Sequence, residues 1–215
     1  MNQVVKDKMA REIMVVSCDK LFAGVTRETK FYNNDEANIE KNILDNYEYM
    51  IRGKAEENRD FKQPITYAII ADDQNRIFVY KRGGSSSTAG ESRLHSKISF
   101  GIGGHLERED EEMENPIRDS LVREIEEEIN LKDEDIASIK PIGYINDDSN
   151  DVGKVHIGIS YLVKVHNSNV ALLDGELDNG EFVSIEDLDN MIASGDYDVE
   201  SWSNILYEPL KKLLK

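Results

Sequence analysis

The stretch from Gly103 to Leu131, GGHLEREDEEMENPIRDSLVREIEEEINL, restricts what this chain can become more than any other. An apolar, β-like run (ISFGI, ending at Ile102) reaches a Gly-Gly turn, crosses an acidic loop and enters a helical pattern. On that helix Glu124, Glu127 and Glu128 stand at i, i+3 and i+4, so their carboxylates share one face. Val122, Ile125 and Ile129 fall on another face, suited to packing against a sheet. Three like charges side by side repel unless a cation joins them, and a hard divalent ion with oxygen ligands, Mg²⁺ or Mn²⁺, fits best. Glu-rich faces are also common on acidic soluble proteins as solvated surface. The glycine pair adds what a solvated face does not need, a tight turn that offers backbone at close range.

This combination resembles the Nudix box, Gly-x5-Glu-x7-Arg-Glu-U-x-Glu-Glu-x-Gly-U, with U a bulky aliphatic residue. Its first Gly falls on Gly104 and its Arg-Glu on Arg123-Glu124. Ile125 takes the first aliphatic position, Glu127-Glu128 the paired glutamates and Leu131 the last position. Three departures are visible. The early Glu position holds Asp110, the late Gly is Asn130, and Gly104 to Leu131 spans 28 residues against the box's 23. The five extra residues lie within 111–122, before the metal-binding turn, so the helical carboxylates stay in register. They leave the roles of Glu107 and Asp110 open. The resemblance covers roughly residues 64–195 and implies an α/β (α+β) fold, an α/β/α sandwich around a mixed β-sheet. KQPITY before the first sheet strand, together with the lengthened box, is similar to a bacterial group of Nudix phosphoesterases of the MutT-like type.

Length and composition suit that reading. A chain of 215 residues forms one generous domain, or a domain with an extension. The expected division is an N-terminal extension over 1–63, a strand plus a helix, and a Nudix domain over 64–215. A hydrophobic content of 39% is enough for a packed core. A net charge of −17 argues against nonspecific binding of nucleic-acid polymers or anionic membranes, which need basic patches. The single cysteine, Cys18, excludes an internal disulfide and a cysteine-based zinc cluster, and reads as a small core residue. There is no signal-peptide pattern and no apolar run of membrane-spanning length, so a soluble cytoplasmic protein is expected.

Along the chain, residues 12–17 read as a strand and 35–51 as an amphipathic helix with Ile39, Ile43, Tyr47 and Met50 at helical spacing. ITYAIIA and RIFVYKR, separated by Asp72-Asp73-Gln74-Asn75, form a hairpin. The Gly/Ser-rich stretch 83–97 reads as a mobile loop, and ISFGIGG as a strand entering the box. IKPIGYIND and KVHIGISYLVKV pair across Asp147–Gly153. Short strands are expected at Val170–Leu173 and Glu181–Ser184, and helices at Ile185–Ile192 and Glu200–Leu214.

The resemblance implies hydrolysis of a nucleoside diphosphate linked to another moiety by water attacking phosphorus, a pyrophosphatase reaction. A polyanionic pyrophosphate admits a nucleophile only once cations neutralise its oxygens. Glu127 and Glu128 are the first choices as metal ligands, with Glu124 as ligand or base and the Gly103 carbonyl completing the shell. On a regular helix Arg123 points away from the metal face, where a salt bridge would orient a catalytic glutamate or pin the loop. Glu181, ahead of a strand-then-helix pattern, resembles the family's further carboxylate, with Glu176 as its alternative. Arg82, Arg93 and Lys97 flank the Gly/Ser loop as candidate phosphate contacts, against their reading as isolated surface cations. His156 stands out of phase with Val155, Ile157 and Ile159, either facing the pocket as base or substrate contact or hydrogen-bonded within the sheet. DDSNDVG lacks the sixth-position Gly of a calcium loop and reads as a hairpin connection. The rival class is a Nudix-fold nucleotide sensor without turnover, and a third is a structural acidic module. Retention of Glu124, Glu127 and Glu128 favours the enzyme. The N-terminal segment is the candidate surface for a homodimer.

Overall fold

Backbone hydrogen bonding organises the chain into strands that neighbour one another in the order 30–33, 136–146, 156–165, 61–71, 12–17 and 48–51, with 77–82 joined to 61–71, and 98–99 and 177–183 joined to 77–82. The computed structural model describes residues 3–82, 97–108, 115–173 and 177–214. In chain order the elements are α1 (Gln3–Ala10), β1 (Glu12–Ser17), α2 (Cys18–Leu21), β2 (Lys30–Asn33), α3 (Ile39–Asn46), β3 (Glu48–Ile51) and α4 (Arg52–Ala55). Next come β4 (Phe61–Ala71), β5 (Ile77–Arg82), β6 (Ile98–Ser99) and α5 (Pro116–Glu128). β7 (Ile136–Asn146), β8 (His156–Val165), β9 (Leu177–Val183), α6 (Ile185–Ser194) and α7 (Ser201–Leu213) complete the α/β fold with its mixed sheet.

The chain divides into two compact units. The first comprises residues 1–67, 103–122 and 141–160. In it β1 pairs antiparallel with β3 (Ile13 opposite Met50) and with β4 (Val16 opposite Lys62), while β2 pairs with β7 (Tyr32 opposite Tyr144). Ile13, Val15 and Ala55 form a buried cluster against Met50 and Phe61. The helix expected over 35–51 stops at Asn46. Tyr47 is extended (φ −68°, ψ 156°), the Asn46 amide donates to the Asn42 carbonyl at 3.0 Å, and Glu48–Ile51 pair with β1 instead. The aromatic and branched side chains of YEYMI suit a pleated strand, and sheet hydrogen bonds override the helical spacing. Three further short helices, α1, α2 and α4, and the short strand β2 lie where no regular element was expected, and β4 starts four residues before Ile65.

The second unit comprises residues 68–102, 123–140 and 161–215. Ala71 opposite Ile77 closes the expected hairpin, with Asn75 taking the left-handed turn position (φ 60°). β5 is the hub, pairing with β6 through Tyr80 and Ser99 and with β9 through Val79 and Glu181. β9 begins earlier than expected, at Leu177, whereas Val170–Leu173 contributes only a bridge from Leu172 to Ile129. The Gly/Ser stretch 83–96 and Asp110 lie outside the described residues. α6 is capped by the Ser184 hydroxyl, which accepts from the Asp187 N–H at 3.0 Å, and ends at Gly195 in the left-handed conformation. None of the helices among the described residues is long and apolar enough to cross a membrane.

Candidate active site

α5 shows why this sequence presents its carboxylates. Ile117, Leu121 and Ile125, with Ile129 just beyond, recur every fourth residue and are all fully buried. That stripe fixes the helix's rotation about its axis. Glu124 and Glu127 stand off it, with side chains 13% and 62% exposed. Glu128 is partly buried, and its backbone carbonyl accepts from the Leu173 N–H at 2.9 Å, which fastens the helix end. Asn130 continues the anchoring, its N–H donating to the Ala171 carbonyl (3.0 Å) while its side-chain oxygen accepts from the Ala171 N–H (2.6 Å).

Arg123 does not point away from these carboxylates. Its guanidinium reaches along the helix, placing Nη1 2.7 Å from Glu124 Oε1 and 3.6 Å from Glu127 Oε1. The long, flexible stem lets the charge lie over a face that the Cα position alone would not assign to it. One guanidinium thus holds two of the three carboxylates and relieves part of their repulsion. The donor set that remains is all oxygen, which suits Mg²⁺ or Mn²⁺ completed by water.

The other residues picked out by sequence are placed as follows. Gly103, in the first unit, has φ +154°, and a Cβ there would come within 1.8 Å of the Thr66 carbonyl oxygen. The turn is fastened by the Thr66 N–H donating to the Gly104 carbonyl at 3.0 Å. Close approach to β4 therefore demands the glycine. Glu107 accepts from Arg11 at 2.7 Å. In the second unit, Glu181 is exposed on β9 opposite Val79. Arg82 lies 3.6 Å from buried Glu200 and over the Tyr80 ring, and Lys97 is 3.2 Å from Asp198. Both cations thus stand beside acidic partners. Arg93 and Glu176 lie outside the described residues.

His156 opens β8, where eight consecutive residues are buried. With both faces of the strand covered, alternation does not say which way a side chain is used. Its Nδ1 lies 2.7 Å from the Val152 carbonyl and its Nε2 3.3 Å from Nε2 of His105. Sequence reading passed over His105 and Glu56, whose ligand atoms lie within 4.8 Å of those of His156. Asp147–Gly153 is the connection between β7 and β8, held by its own side chains. Asp147 accepts from the Ser149 N–H (2.9 Å) and the Asn150 amide (2.6 Å). Beside it, fully buried Lys62 donates to Asp148 (2.8 Å) and to the Gly153 carbonyl (2.6 Å). Arg27 meets the same Asp148 carboxylate with two bonds of 2.7 and 2.8 Å.

Comparison with known proteins shows the family of the chain. The NUDIX domain family matches residues 61–202. The chain is 35% identical over 212 residues to protein YmaB of Bacillus subtilis, covering 95% of this chain and 99% of that protein. Among solved structures, Tm1382, assigned as a Nudix hydrolase, superposes with a TM-score of 0.74 at 25% identity, covering 94% of this chain and 99% of that one. The NUDIX domain of NrtR from Shewanella oneidensis, solved in complex with ADP-ribose, gives 0.53 at 11% identity over 72% of this chain and 89% of that one. At that identity the likeness speaks for the fold.

Proposed function

Because the chain belongs to the Nudix hydrolase family, whose members generally hydrolyse pyrophosphate bonds in nucleoside diphosphate derivatives, we propose that it does so with Mg²⁺ or Mn²⁺ held by α5. The observation that supports this reading is the grouping of Glu124 and Glu127 under one guanidinium, with Glu128 on the same helical turn. Glu127 and Glu128 serve as ligands and Glu124 as ligand or as the base that takes the proton from the attacking water. The Gly103 carbonyl is a further ligand proposed on the resemblance alone. When bound, the metal neutralises pyrophosphate oxygens and lowers the pKa of coordinated water. Arg123 is a positioning residue, fixing the rotamer of Glu124 and offsetting its charge. Glu181 is proposed as an additional carboxylate, while Arg82 and Lys97 are proposed to receive substrate phosphate by exchanging their acidic partners for it. The substrate is a nucleoside diphosphate linked to another moiety, the chemical class to which the ADP-ribose bound by the NrtR domain belongs.

Glu127→Gln is the direct test of the metal assignment. The side chain is 62% exposed, so the fold should persist while a ligand charge is lost. Turnover is expected to fall by about a hundredfold or more with unchanged circular dichroism. Undiminished turnover in the folded variant would remove Glu127 from the metal site.

A further inference from the structure

We infer that Glu56, His105 and His156, in the first unit, form a second divalent-metal site of Zn²⁺ type, distinct in composition from the α5 carboxylates. The three residues come from separate segments. Glu56 follows α4, His105 follows the Gly103-Gly104 turn and His156 opens β8. Their ligand atoms all lie within 4.8 Å of one another, with His156 Nε2 3.3 Å from His105 Nε2 and 3.9 Å from Glu56 Oε1. Ligands about 2.0–2.1 Å from a tetrahedral ion stand roughly 3.3 Å apart, so small adjustments would close this triangle around one ion. Two imidazoles and a carboxylate suit zinc, whereas the all-oxygen set on α5 suits magnesium.

The surroundings are arranged as a metal site requires. The Val152 carbonyl accepts from Nδ1–H of His156 at 2.7 Å, which leaves the lone pair of Nε2 directed at the other two residues. Around His105 Nε2 the polar atoms exceed what one N–H can serve. Gln63 Oε1 lies 2.8 Å away and His156 Nε2 3.3 Å away, both as acceptors. Gln63 is fully buried, with its amide oxygen turned to His105 Nε2. One cation would satisfy the converging acceptors, and Gln63 could offer its amide oxygen as a fourth ligand. Arg52 donates to Glu56 Oε1 at 3.4 Å, a long contact that leaves carboxylate capacity to spare.

This inference is independent of the phosphoanhydride reading, and the test separates the two. Zn²⁺ is titrated against a chromophoric chelator in the full chain, in His105→Gln, and in the triple variant Glu124→Gln/Glu127→Gln/Glu128→Gln. One equivalent should bind to wild type and to the triple variant, with affinity in His105→Gln lower by about a hundredfold or more. Long-range ¹H–¹⁵N spectra of the wild-type histidine rings guard against misfolding of a variant. Zn²⁺ should shift the Nε2 resonances of His105 and His156 together at one equivalent. Unmoved ring resonances at saturating Zn²⁺, or loss of the equivalent in the triple variant alone, would overturn the site.

Discussion

At the scale of single residues, two charge clusters carry the most consequence. Asp148 is the anchor for Lys62 and Arg27, and Lys62 has no exposed side-chain surface. Burial pushes the Asp148 carboxyl up, but hydrogen bonds from Arg27, Lys62 and Asn146 outweigh it and hold the pKa well below the usual carboxylate range. The unfolded carboxyl titrates near about 4. The cluster's stabilisation is therefore complete above that pH and is lost as the pH falls toward the depressed folded value. Asp148→Asn should cost about 3–5 kcal/mol at pH 7 by urea denaturation, because it strands a buried ammonium, and should flatten the acid limb of the stability profile. An unchanged acid limb would show that Asp148 is not the titrating group. Arg123→Ala should lower the rate by about tenfold, less than Glu127→Gln, and Arg123→Lys should recover part of it. Full activity in the alanine variant would exclude the positioning role.

At the scale of elements, the Gly-Gly turn and α5 illustrate how differently local pattern and long-range packing show themselves. Gly103→Ala is expected to cost about 2–5 kcal/mol by thermal or urea unfolding, because a Cβ would collide with the Thr66 backbone at a left-handed φ. Gly24 (φ +85°) has nothing within 4 Å of an added Cβ, so Gly24→Ala should cost only about 1 kcal/mol of conformational strain. Equal costs would contradict the close approach. α5 was legible in the sequence because its signal is local, Ile125 and Ile129 on one face and the carboxylates on another, although the buried stripe continues through Leu121 and Ile117, with the expected Val122 only partly buried. The β4–β5 hairpin was legible for the same reason, through DDQN between two β-rich runs. The end of α3 was not, because β1 recruits Glu48–Ile51 from another part of the chain. Nor was the Glu56–His105–His156 triangle, whose two histidines are 51 residues apart and meet only through the fold. The salt bridge expected of Arg123 forms with Glu124, but over the carboxylate face and not away from it. Helical geometry assigns a Cα to a face, but a four-bond stem chooses where its charge goes.

At the scale of the whole molecule, acidity and extent define the problem. A chain of net charge −17 repels a polyphosphate at long range, so productive approach depends on cations on the protein, on the substrate or on both. The relation to YmaB and to Tm1382 covers 95% and 94% of the chain, well beyond the 61–202 of the NUDIX match. The first sixty residues are therefore part of the architecture shared with those proteins, and with Glu56 they reach into the histidine cluster. The lengthened loop before α5 and this segment are where substrate choice is best sought. The most direct measurement is turnover of a panel of nucleoside diphosphate derivatives by the purified full chain with Mg²⁺ or Mn²⁺, with both products quantified. Metal-dependent release of a nucleoside monophosphate and the phosphorylated second moiety from at least one compound, abolished by chelation, is the predicted result. Nucleotide binding without turnover on any compound, with metal present, would contradict a hydrolase and leave a nucleotide sensor.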